Sequence, residues 1–389
     1  MNQLRTQVAI IGAGPSGLLL GQLLQKEGIN HVILENRSQE YVLGRIRAGM
    51  LEQPTVETLR EAGAGERLES EGLKQTGYNL LWGKGRTRID FDLAGKTATV
   101  YGQTEVTRDL IDAREKSGGI THYEVKNVAL HDFDSENPRV TYEKDGEKYE
   151  VSCDFIAGCD GYHGVSRKSV AADRIDTYEF AFPFGWLGIL ADVPPVSDEV
   201  VWLNHPEGFV MCSLRSKTRS RYYIQVPIDE DINEWNAERF WDEFKRRLPD
   251  DLANKLVTGP ALEMSIAPLR SFVAEPMRFG QMFLVGDAAH IVPPTGAKGL
   301  NMAIADAKQL FEGLKQFYGN GERKLLDSYS DQALDRIWKA VRFSWWMTNL
   351  MHKFSDDLFA RKLQIAELEY VAESKAAQTT IAENFCGLD

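Results

Sequence analysis

The pattern Gly12-x-Gly14-x-x-Gly17 lies between an apolar run, QVAII, and a stretch with helical spacing, SGLLLGQLLQKEG. A second apolar run, HVILE, follows and ends at Glu35. Glycines at this spacing let the chain turn tightly and bring backbone amides at the positive end of a helix to a pyrophosphate. An acid at the end of the second strand accepts hydrogen bonds from ribose hydroxyls. The sequence therefore predicts the opening βαβ unit of a dinucleotide-binding domain, with FAD and NAD both open as ligands.

The overall charge limits the partners of this chain. A formal net charge of -12 over 389 residues argues against a general nucleic-acid or anionic-membrane binder, because the long-range field repels polyanions. The chain lacks the run of about 18 uncharged apolar residues that a membrane span requires. The first residues, MNQLRTQVAIIGAG, show no secretory signal pattern. We expect a soluble, cytoplasmic protein without nucleic-acid or membrane partners.

The cysteines are dispersed and show neither a CxxC redox pair nor the spacing of a zinc site. We expect them to be buried small hydrophobic residues. No metal site is predicted. The four positions are Cys153, Cys159, Cys212 and Cys386.

The order of the predicted elements indicates a mixed α/β fold. Residues 140–154 read as a hairpin with its turn at Lys144-Asp145-Gly146. Strand-like stretches then succeed one another, and MFLVGDAAH returns to an apolar strand that ends at a helix start. We predict a discontinuous Rossmann-like domain (1–174 and 270–330), an inserted antiparallel-sheet domain for the substrate (175–269), and a C-terminal helical region (331–389).

Two later motifs carry a resemblance to a known family. Cys159-Asp160-Gly161, after an apolar strand, resembles the DG motif of the flavoprotein aromatic hydroxylases, and the segment GDAAH at 286–290 resembles their GD motif. The resemblance implies FAD as the cofactor. It also implies that Asp287 bonds the ribityl chain and that the N-terminus of a following helix faces the flavin ring.

Further stretches narrow the resemblance to the 4-hydroxybenzoate 3-hydroxylases within that family. They include GRIRAG, VYGQTEVTRDL, PFGWLG, SIAPLRSF, AHIVPPTGAKGLN and RFSWWMT. The resemblance implies an FAD-dependent monooxygenase that uses NAD(P)H and dioxygen. Its product would be 3,4-dihydroxybenzoate, formed from 4-hydroxybenzoate by hydroxylation ortho to the para group. A flavin oxidase or dehydrogenase and a flavin-binding sensor remain alternatives, since a fold alone does not fix function.

The same resemblance implies which residues hold the substrate. Ser213, Arg215 and Tyr223 would bind its carboxylate, for which a guanidinium with two hydroxyl donors is well suited. The Pro294 carbonyl would meet the para substituent, with Thr295 beside it. The catalytic candidates are Arg221, which would lie toward the flavin, together with Pro294, Trp202 and Phe385.

The expected cofactor contacts combine the glycine turn and its strand-end acid with residues that the resemblance implies. Arg37 and Tyr41 are added from the sequence itself, as candidates that follow Glu35. The FAD residues would be Gly12, Gly14, Ser16, Gly17, Glu35, Arg45, Arg47, Gln103, Asp160, Asp287, Lys298, Gly299, Leu300 and Asn301. The residues for the nicotinamide nucleotide would be Arg37, Tyr41, Arg45, His163 and Arg270, because phosphates need cations. NADPH is the expected reductant, with NADH open.

The chain departs from the family pattern at the para end of the substrate. The family uses two tyrosines and a histidine to remove the proton of the 4-hydroxyl. Trp202, Phe385 and Gln75 stand at the matching positions here. One hypothesis is a preference for 4-aminobenzoate or for a ring with an added substituent, such as 3,4-dihydroxybenzoate. The alternative is a neutral replacement in which water carries the proton.

Aromatic residues recur on the predicted C-terminal helix, at Phe343, Trp345 and Trp346. Such a stripe is more often core or a subunit interface than a cofactor site. We expect an interface. The family resemblance implies a homodimer.

Overall fold

A mostly parallel six-stranded sheet carries the first glycine turn. Its order is β19 (Arg278–Phe279), β20 (Met282–Leu284), β13 (Phe155–Gly158), β2 (Val8–Ile11), β3 (His31–Leu34) and β9 (Thr121–His122). The computed structural model describes residues 1–44 and 49–387. Helix α1 (Pro15–Lys26) connects β2 to β3, which pair in parallel. The predicted strand, turn, helix and strand are confirmed.

A second sheet contains the predicted hairpin. Its four strands are β1 (Asn2–Arg5), β12 (Glu147–Ser152), β11 (Arg139–Lys144) and β10 (Lys126–His131). The hairpin turn has positive φ at both Asp145 and Gly146, at 53° and 81°. Two-residue hairpin turns with positive φ at both residues match the twist of the flanking strands, and Asp-Gly is one of the residue pairs preferred there.

The largest sheet has eight strands and is antiparallel except between β15 and β6. Its order is β21 (His290–Ile291), β18 (Glu263–Glu275), β14 (Asp176–Ala191), β17 (Ser220–Pro227), β16 (Val210–Leu214), β15 (Val201–Asn204), β6 (Gly77–Trp82) and β7 (Gly85–Asp90). Residues 175–269 therefore supply its centre. One edge comes from residues 77–90, which lie outside that span in the sequence.

The two faces of this sheet bury different clusters. One face carries Leu81, Val201, Cys212 and Tyr222, packed against the helix α6 (Ala237–Arg247) through Phe240 and its neighbours. The other face carries a second set, which joins residues of the C-terminal helices: Tyr78, Trp202, Met211, Tyr223 and Phe385. Side chains alternate between faces along each strand, so the four strand residues lie on one side of the sheet, where Phe385 of the last helix packs against them.

The remaining elements are a small sheet and the other helices. A three-stranded sheet is formed by β4 (Met50–Glu52), β8 (Ala98–Val100) and β5 (Leu73–Gln75). The other helices are α2 (Gln39–Leu43), α3 (Gln53–Glu61), α4 (Glu66–Glu71), α5 (Gln103–Lys116), α7 (Asp250–Ala253), α8 (Gly299–Asn320), α9 (Lys324–Asp327), α10 (Tyr329–Met351), α11 (Leu358–Glu373) and α12 (Lys375–Cys386). Within the described ranges, none of the helices has the length and apolar character of a bilayer span.

The expected helix start at the GD motif is wrong. Only a short 3₁₀ turn, Gly286–Ala288, follows β20, and the long helix α8 begins later, at Gly299. Gly286 has a φ of 63°, and a pair of prolines, Pro293 and Pro294, intervenes. Neither feature continues an α-helix, because positive φ is left-handed and proline lacks the amide donor.

Candidate active site

The glycine turn has the close contacts that exclude side chains. Gly12 has a φ of 102°, and a Cβ there would lie 2.4 Å from the Cys159 carbonyl oxygen. A Cβ at Gly17 would lie 2.0 Å from the Gly12 oxygen. At Gly14, by contrast, a Cβ would meet nothing within 4 Å. The turn therefore packs tightly on its protein side and leaves space on its outer side, at the N-terminus of α1, which suits a pyrophosphate.

Glu35 is buried at the end of β3, where its carboxylate bonds two backbone amides. One oxygen accepts from Ala13 at 2.7 Å and the other from Arg37 at 2.8 Å. The first bond ties the acid directly to the glycine turn. Each oxygen has further lone pairs, so these bonds leave acceptor capacity for ribose hydroxyls.

Asp160, in the DG motif, is fixed by the loop that follows it. One carboxylate oxygen accepts from the Ser166 amide at 2.8 Å and from its hydroxyl at 3.0 Å. Burial raises the pKa of Asp160 above its ordinary value. The other oxygen, Oδ1, is buried without a hydrogen-bond partner among the described residues.

The GD loop is held to the long helix by a buried acid that the sequence analysis did not identify. Asp306 of α8 accepts from the Gly286 amide at 3.0 Å, from His290 Nε2 at 2.6 Å and from Arg336 Nη2 at 2.7 Å. Burial alone would raise the pKa of Asp306, but His290 and Arg336 hold it below its ordinary value. Asp287, the predicted ribityl contact, is half-buried in the turn so fixed.

The N-terminus of α8 follows the proline loop. Lys298 forms a short ion pair with Glu52 at this point, and both side chains are largely buried. Asn301 binds β4 twice, since its Nδ2 donates to the Met50 carbonyl at 2.9 Å and its Oδ1 accepts from the Glu52 amide at 3.0 Å. A Cβ at Gly299 would meet nothing within 4 Å. The helix thus presents its positive end at a glycine with open space, with Leu300 half-exposed beside it.

The loop before that helix packs on α10. Thr295 is sealed from solvent, and its hydroxyl accepts from the Thr348 hydroxyl at 3.0 Å. A Cβ at Gly296 would lie 2.1 Å from Ser344 Oγ. Pro294, in contrast, is exposed. The structure therefore anchors the loop from behind and presents Pro294 outward.

Ser213 and Arg215, two of the residues predicted for a substrate carboxylate, lie in direct contact. The Arg215 guanidinium donates to Ser213 Oγ at 2.9 Å and to the Leu214 carbonyl at 3.2 Å, while its Nε is buried without a partner. Burial lowers the pKa of Arg215 from its ordinary value. In the part of the chain that the structure describes, no carboxylate forms an ion pair with it. Such a cation is stabilised by an incoming anion.

Tyr223 and Arg221 lie on the neighbouring strand, β17. Tyr223 is opposite Met211, and Arg221 is opposite Ser213 in the register of β16 and β17. Arg221 lies over the Tyr223 ring at 5.1 Å and forms an ion pair of 3.1 Å with Glu263. The sequence analysis missed Glu263. A flavin contact for Arg221 stays a prediction, and Glu263 already balances part of its charge.

The two aromatic residues at the predicted para end contact each other, and a third ring packs against both. Trp202 and Phe385 are both buried, with ring centres 5.8 Å apart. Tyr78 of β6 lies 4.8 Å from each of these rings. The sequence analysis did not identify Tyr78, because it appears there only as one aromatic in a strand-like run. Gln75, which precedes Tyr78 closely in the sequence, is also buried. Its Nε2 donates to the Asp198 carbonyl at 3.3 Å.

The residues predicted for the nicotinamide nucleotide fall into two groups. Arg37 and Tyr41 pair after β3, with the guanidinium 5.0 Å from the ring centre. Arg270 lies 3.8 Å from the Tyr162 ring, which also contacts the exposed His163 at 5.0 Å. Tyr162 was not identified from the sequence.

Of four further residues predicted to bind the cofactor, two lie within the described part of the chain. Arg45 and Arg47 lie outside the described residues. Gln103 begins α5, half-buried, and Ser16 is buried in the first turn of α1, 3.5 Å from where a Cβ of Gly286 would be. The glycine turn and the GD loop are therefore adjacent.

Comparison with known proteins gives the family. The FAD binding domain family matches residues 5–344. The chain is 55% identical over 391 aligned residues to the p-hydroxybenzoate hydroxylase of Acinetobacter baylyi, covering 100% of this chain and 96% of that one. It is 27% identical to a probable NADH-specific resorcinol 4-hydroxylase of Rhodococcus jostii, covering 83% of this chain and 61% of that one.

Solved structures support the fold. The p-nitrophenol 4-monooxygenase of Pseudomonas putida superposes with a TM-score of 0.84 over 100% of both chains, at 20% sequence identity. The anhydrotetracycline hydroxylase of Streptomyces rimosus superposes with a TM-score of 0.77 over 99% of this chain and 76% of that one, at 23% identity. With the fold, the family match and the full-length relative in agreement, the chain belongs to the FAD-binding family of flavoprotein aromatic hydroxylases.

Proposed function

We propose that this enzyme hydroxylates 4-hydroxybenzoate at the carbon ortho to its hydroxyl, giving 3,4-dihydroxybenzoate, with NAD(P)H and dioxygen as co-substrates. The proposal is carried by the environment of Arg215. Its guanidinium contacts Ser213, and the Nε of Arg215 is buried without a partner among the described residues. The 55% identical relative, named a p-hydroxybenzoate hydroxylase, supports the same substrate.

The carboxylate end of the substrate would lie at Ser213, Arg215 and Tyr223. A guanidinium forms paired, charge-assisted hydrogen bonds with a carboxylate, which fix the orientation of the ring as well as its position. Met211 lies between Tyr223 and Trp202 in the strand register. The benzene ring of the substrate would therefore lie over the Met211 side chain. Its para substituent would then point toward Trp202 and the exposed Pro294 loop.

The residues around the glycine turn fit FAD. Gly14 has open space at the N-terminus of α1, Glu35 has acceptor capacity beside it, and Gly299 has open space at the positive end of α8. When bound, FAD supplies the redox chemistry, in which it takes electrons from NAD(P)H and delivers one oxygen atom of dioxygen to the ring. The residues of this chain position the substrate, exclude water and stabilise charge.

Arg270 and His163 would admit the nicotinamide nucleotide near Tyr162, and Arg37 and Tyr41 would contact its remainder. NADPH is the proposed reductant, because Arg37 offers a cation for a 2′-phosphate. Steady-state kinetics with NADPH and NADH test this choice. An equal or higher kcat/KM with NADH would reject it.

The experiment for the main proposal is a substrate panel on the FAD-loaded enzyme. It would contain 4-hydroxybenzoate, 4-aminobenzoate, 3,4-dihydroxybenzoate and benzoate, with NAD(P)H consumption and hydroxylated product measured together. We expect product and coenzyme to agree only for 4-hydroxybenzoate. Product formed chiefly from 4-aminobenzoate or 3,4-dihydroxybenzoate would instead assign the para end, with Trp202 and Phe385, to that substrate.

The division of labour along the chain is a further part of the proposal. Residues 1–174 and 270–330 would hold FAD, residues 175–269 would supply most of the substrate site, and residues 331–389 would form a subunit interface. For the homodimer, support comes from exposed aromatic and apolar side chains on α10, α11 and β14, which include Trp345, Phe359 and Phe180. Phe343, which was also expected at the interface, is instead fully buried in the core. Exposed apolar surface of this kind is typical of interaction sites. Light scattering would test it, and a monomer at micromolar concentration would reject it.

A cytoplasmic location is proposed on the state of the cysteines. The four cysteines are free and buried, and unpaired thiols are typical of reducing compartments. Cell fractionation of the producing organism would test the location.

A further inference from the structure

Two polar atoms are buried without partners in the aromatic cluster around Phe385. Tyr78 is 0% exposed and Trp202 is 2% exposed. Neither the Tyr78 hydroxyl nor the Trp202 Nε1 has a hydrogen-bond partner among the described residues. The ring centres of these two residues are 4.8 Å apart. Buried polar groups are almost always paired, so two such atoms on neighbouring rings call for a partner that the described residues do not supply.

The strand register places them at the far end of the proposed substrate site. Trp202 lies opposite Leu80 on β6 and opposite Met211 on β16, and Met211 lies opposite Tyr223 on β17. Trp202 and Tyr223 are therefore two strand spacings apart, roughly 9.5 Å. Tyr78 is two residues from Leu80, so its side chain emerges on this same face. We take this separation as the span that a para-substituted benzoate would bridge.

Packing does not account for the hydroxyl of Tyr78. Its ring stacks on Phe385 at an interplanar angle of 28° and is tilted against Phe91 at 5.9 Å. A phenylalanine would make the same contacts without burying an unpaired hydroxyl. Burial raises the pKa of Tyr78 well above its ordinary value, so the hydroxyl keeps its proton and can donate a hydrogen bond.

We propose that the Tyr78 hydroxyl and the Trp202 indole N–H bind the para oxygen of the substrate and make this end of the site specific for oxygen over nitrogen. The proposal rests on the proposed function, since it assumes a para-substituted benzoate. An indole N–H only donates, and a tyrosine hydroxyl that keeps its proton donates as well. A phenol or phenolate oxygen accepts both bonds. An aniline nitrogen is a poor acceptor because its lone pair is delocalised into the ring.

The test is a comparison of ligands on FAD-loaded wild type, Tyr78→Phe and Trp202→Phe. Dissociation constants for 4-hydroxybenzoate, 4-aminobenzoate and benzoate would be measured from the change in flavin absorbance. We expect each variant to bind 4-hydroxybenzoate about tenfold more weakly, while its affinity for benzoate stays within about twofold. The preference for 4-hydroxybenzoate over 4-aminobenzoate should fall by a similar factor.

A matched control separates this role from a general effect of removing a buried hydroxyl. Tyr142 is buried in the four-stranded sheet, where its hydroxyl bonds His122 at 2.9 Å. Tyr142→Phe should leave all three dissociation constants unchanged. Thermal unfolding without ligand should show Tyr78→Phe at or above the wild-type midpoint, because an unpaired buried hydroxyl has been removed.

The outcomes separate this proposal from the proposed function. Equal weakening of 4-hydroxybenzoate and benzoate in Tyr78→Phe, or no weakening of either, would overturn it. Turnover of 4-hydroxybenzoate by the wild type is measured independently. If the wild type did not hydroxylate 4-hydroxybenzoate, the proposed function would fail, while the binding comparison would still decide whether Tyr78 and Trp202 recognise a para oxygen.

Discussion

Gly188 lies opposite Tyr223 on adjacent strands of the large sheet, and a Cβ added at Gly188 would come within 2.6 Å of the tyrosine ring. The same Cβ would lie 3.2 Å from Arg221 Nε. The missing side chain thus leaves the space beside β14 that the Tyr223 ring and the Arg221 side chain occupy. A glycine within a strand often marks such a close approach.

Gly188→Ala is therefore expected to displace Tyr223 and to weaken 4-hydroxybenzoate binding at least tenfold, while FAD binding is retained. The measurement is a pair of titrations, one for the aromatic ligand by flavin absorbance and one for FAD by fluorescence. Gly319→Ala, on the exposed end of α8 where a Cβ meets nothing within 4 Å, is the control. Unchanged aromatic affinity in Gly188→Ala would show that Tyr223 does not contact the ligand.

Arg215→Lys is expected to weaken binding of 4-hydroxybenzoate by roughly 10- to 100-fold, because a charge-assisted hydrogen bond contributes about 1.5–3 kcal/mol. An ammonium keeps the charge but cannot make the paired contact. The uncharged 4-hydroxybenzamide should bind wild type weakly and lose little in the variant. Arg219→Lys in the same hairpin, where the exposed arginine pairs with Asp192, is the matched control. Equal losses for acid and amide would contradict a carboxylate contact.

Asp306→Asn is expected to destabilise the fold by about 1–3 kcal/mol, because a fully buried carboxylate that accepts three hydrogen bonds is replaced, while Arg336, with 36% of its side chain exposed, remains partly solvated. The folded pKa of Asp306 lies below its ordinary value of 3.8. Its contribution is therefore fully present above that pH and is lost as the pH falls through the folded pKa. Urea unfolding near pH 7 and near pH 3 measures both effects.

Asp335→Asn, which removes an exposed acid of α10 paired with Lys339, serves as the control for Asp306→Asn. Exposed pairs contribute little, so its unfolding midpoint should match wild type. A wild-type stability for Asp306→Asn would show that the GD loop is held by other contacts.

Local signals in the sequence predicted the parts of the fold that depend on local structure. The turn at Gly12 and the hairpin at Gly146 require positive φ, which leaves a mark in residue type. The pairing of β6 with β15 leaves none, since Asn79 and Val201 are neighbours only after the chain has folded. For this reason the edge at 77–90, and Tyr78 with it, escaped prediction.

For the same reason, the sequence did not predict which residues the charged side chains pair with. Nothing in the sequence connects Arg221 with Glu263, 42 residues away, or Asp306 with Gly286, 20 residues before it. Family motifs identified Arg221 and Gly286 themselves. The folded structure shows that Glu263 pairs with Arg221 and that Asp306 supports the GD loop.

His352 gives a prediction for stability against pH. The ring is fully buried, and its Nε2 accepts from Trp186 Nε1 at 2.7 Å while Nδ1 donates to the Thr348 carbonyl at 3.0 Å, which fixes the neutral form. Burial lowers the pKa of His352 from 6.5 to about 3. The unfolded chain therefore takes up a proton below pH 6.5 that the folded chain refuses, and stability falls with decreasing pH by at most about 1.4 kcal/mol per unit.

His352→Gln removes this titration, so the gap in unfolding free energy between wild type and variant should be largest near pH 7.5. It should shrink steadily as the pH is lowered to 5, because only the wild type loses the contribution of a neutral buried histidine. Urea unfolding at intervals of half a pH unit measures the gap. Since the ring also stacks on Phe184 at 4.9 Å, the variant is expected to be less stable throughout, and only the slope tests the titration. A gap that stayed constant from pH 7.5 to 5 would mean that His352 is protonated as readily in the folded chain as in the unfolded one.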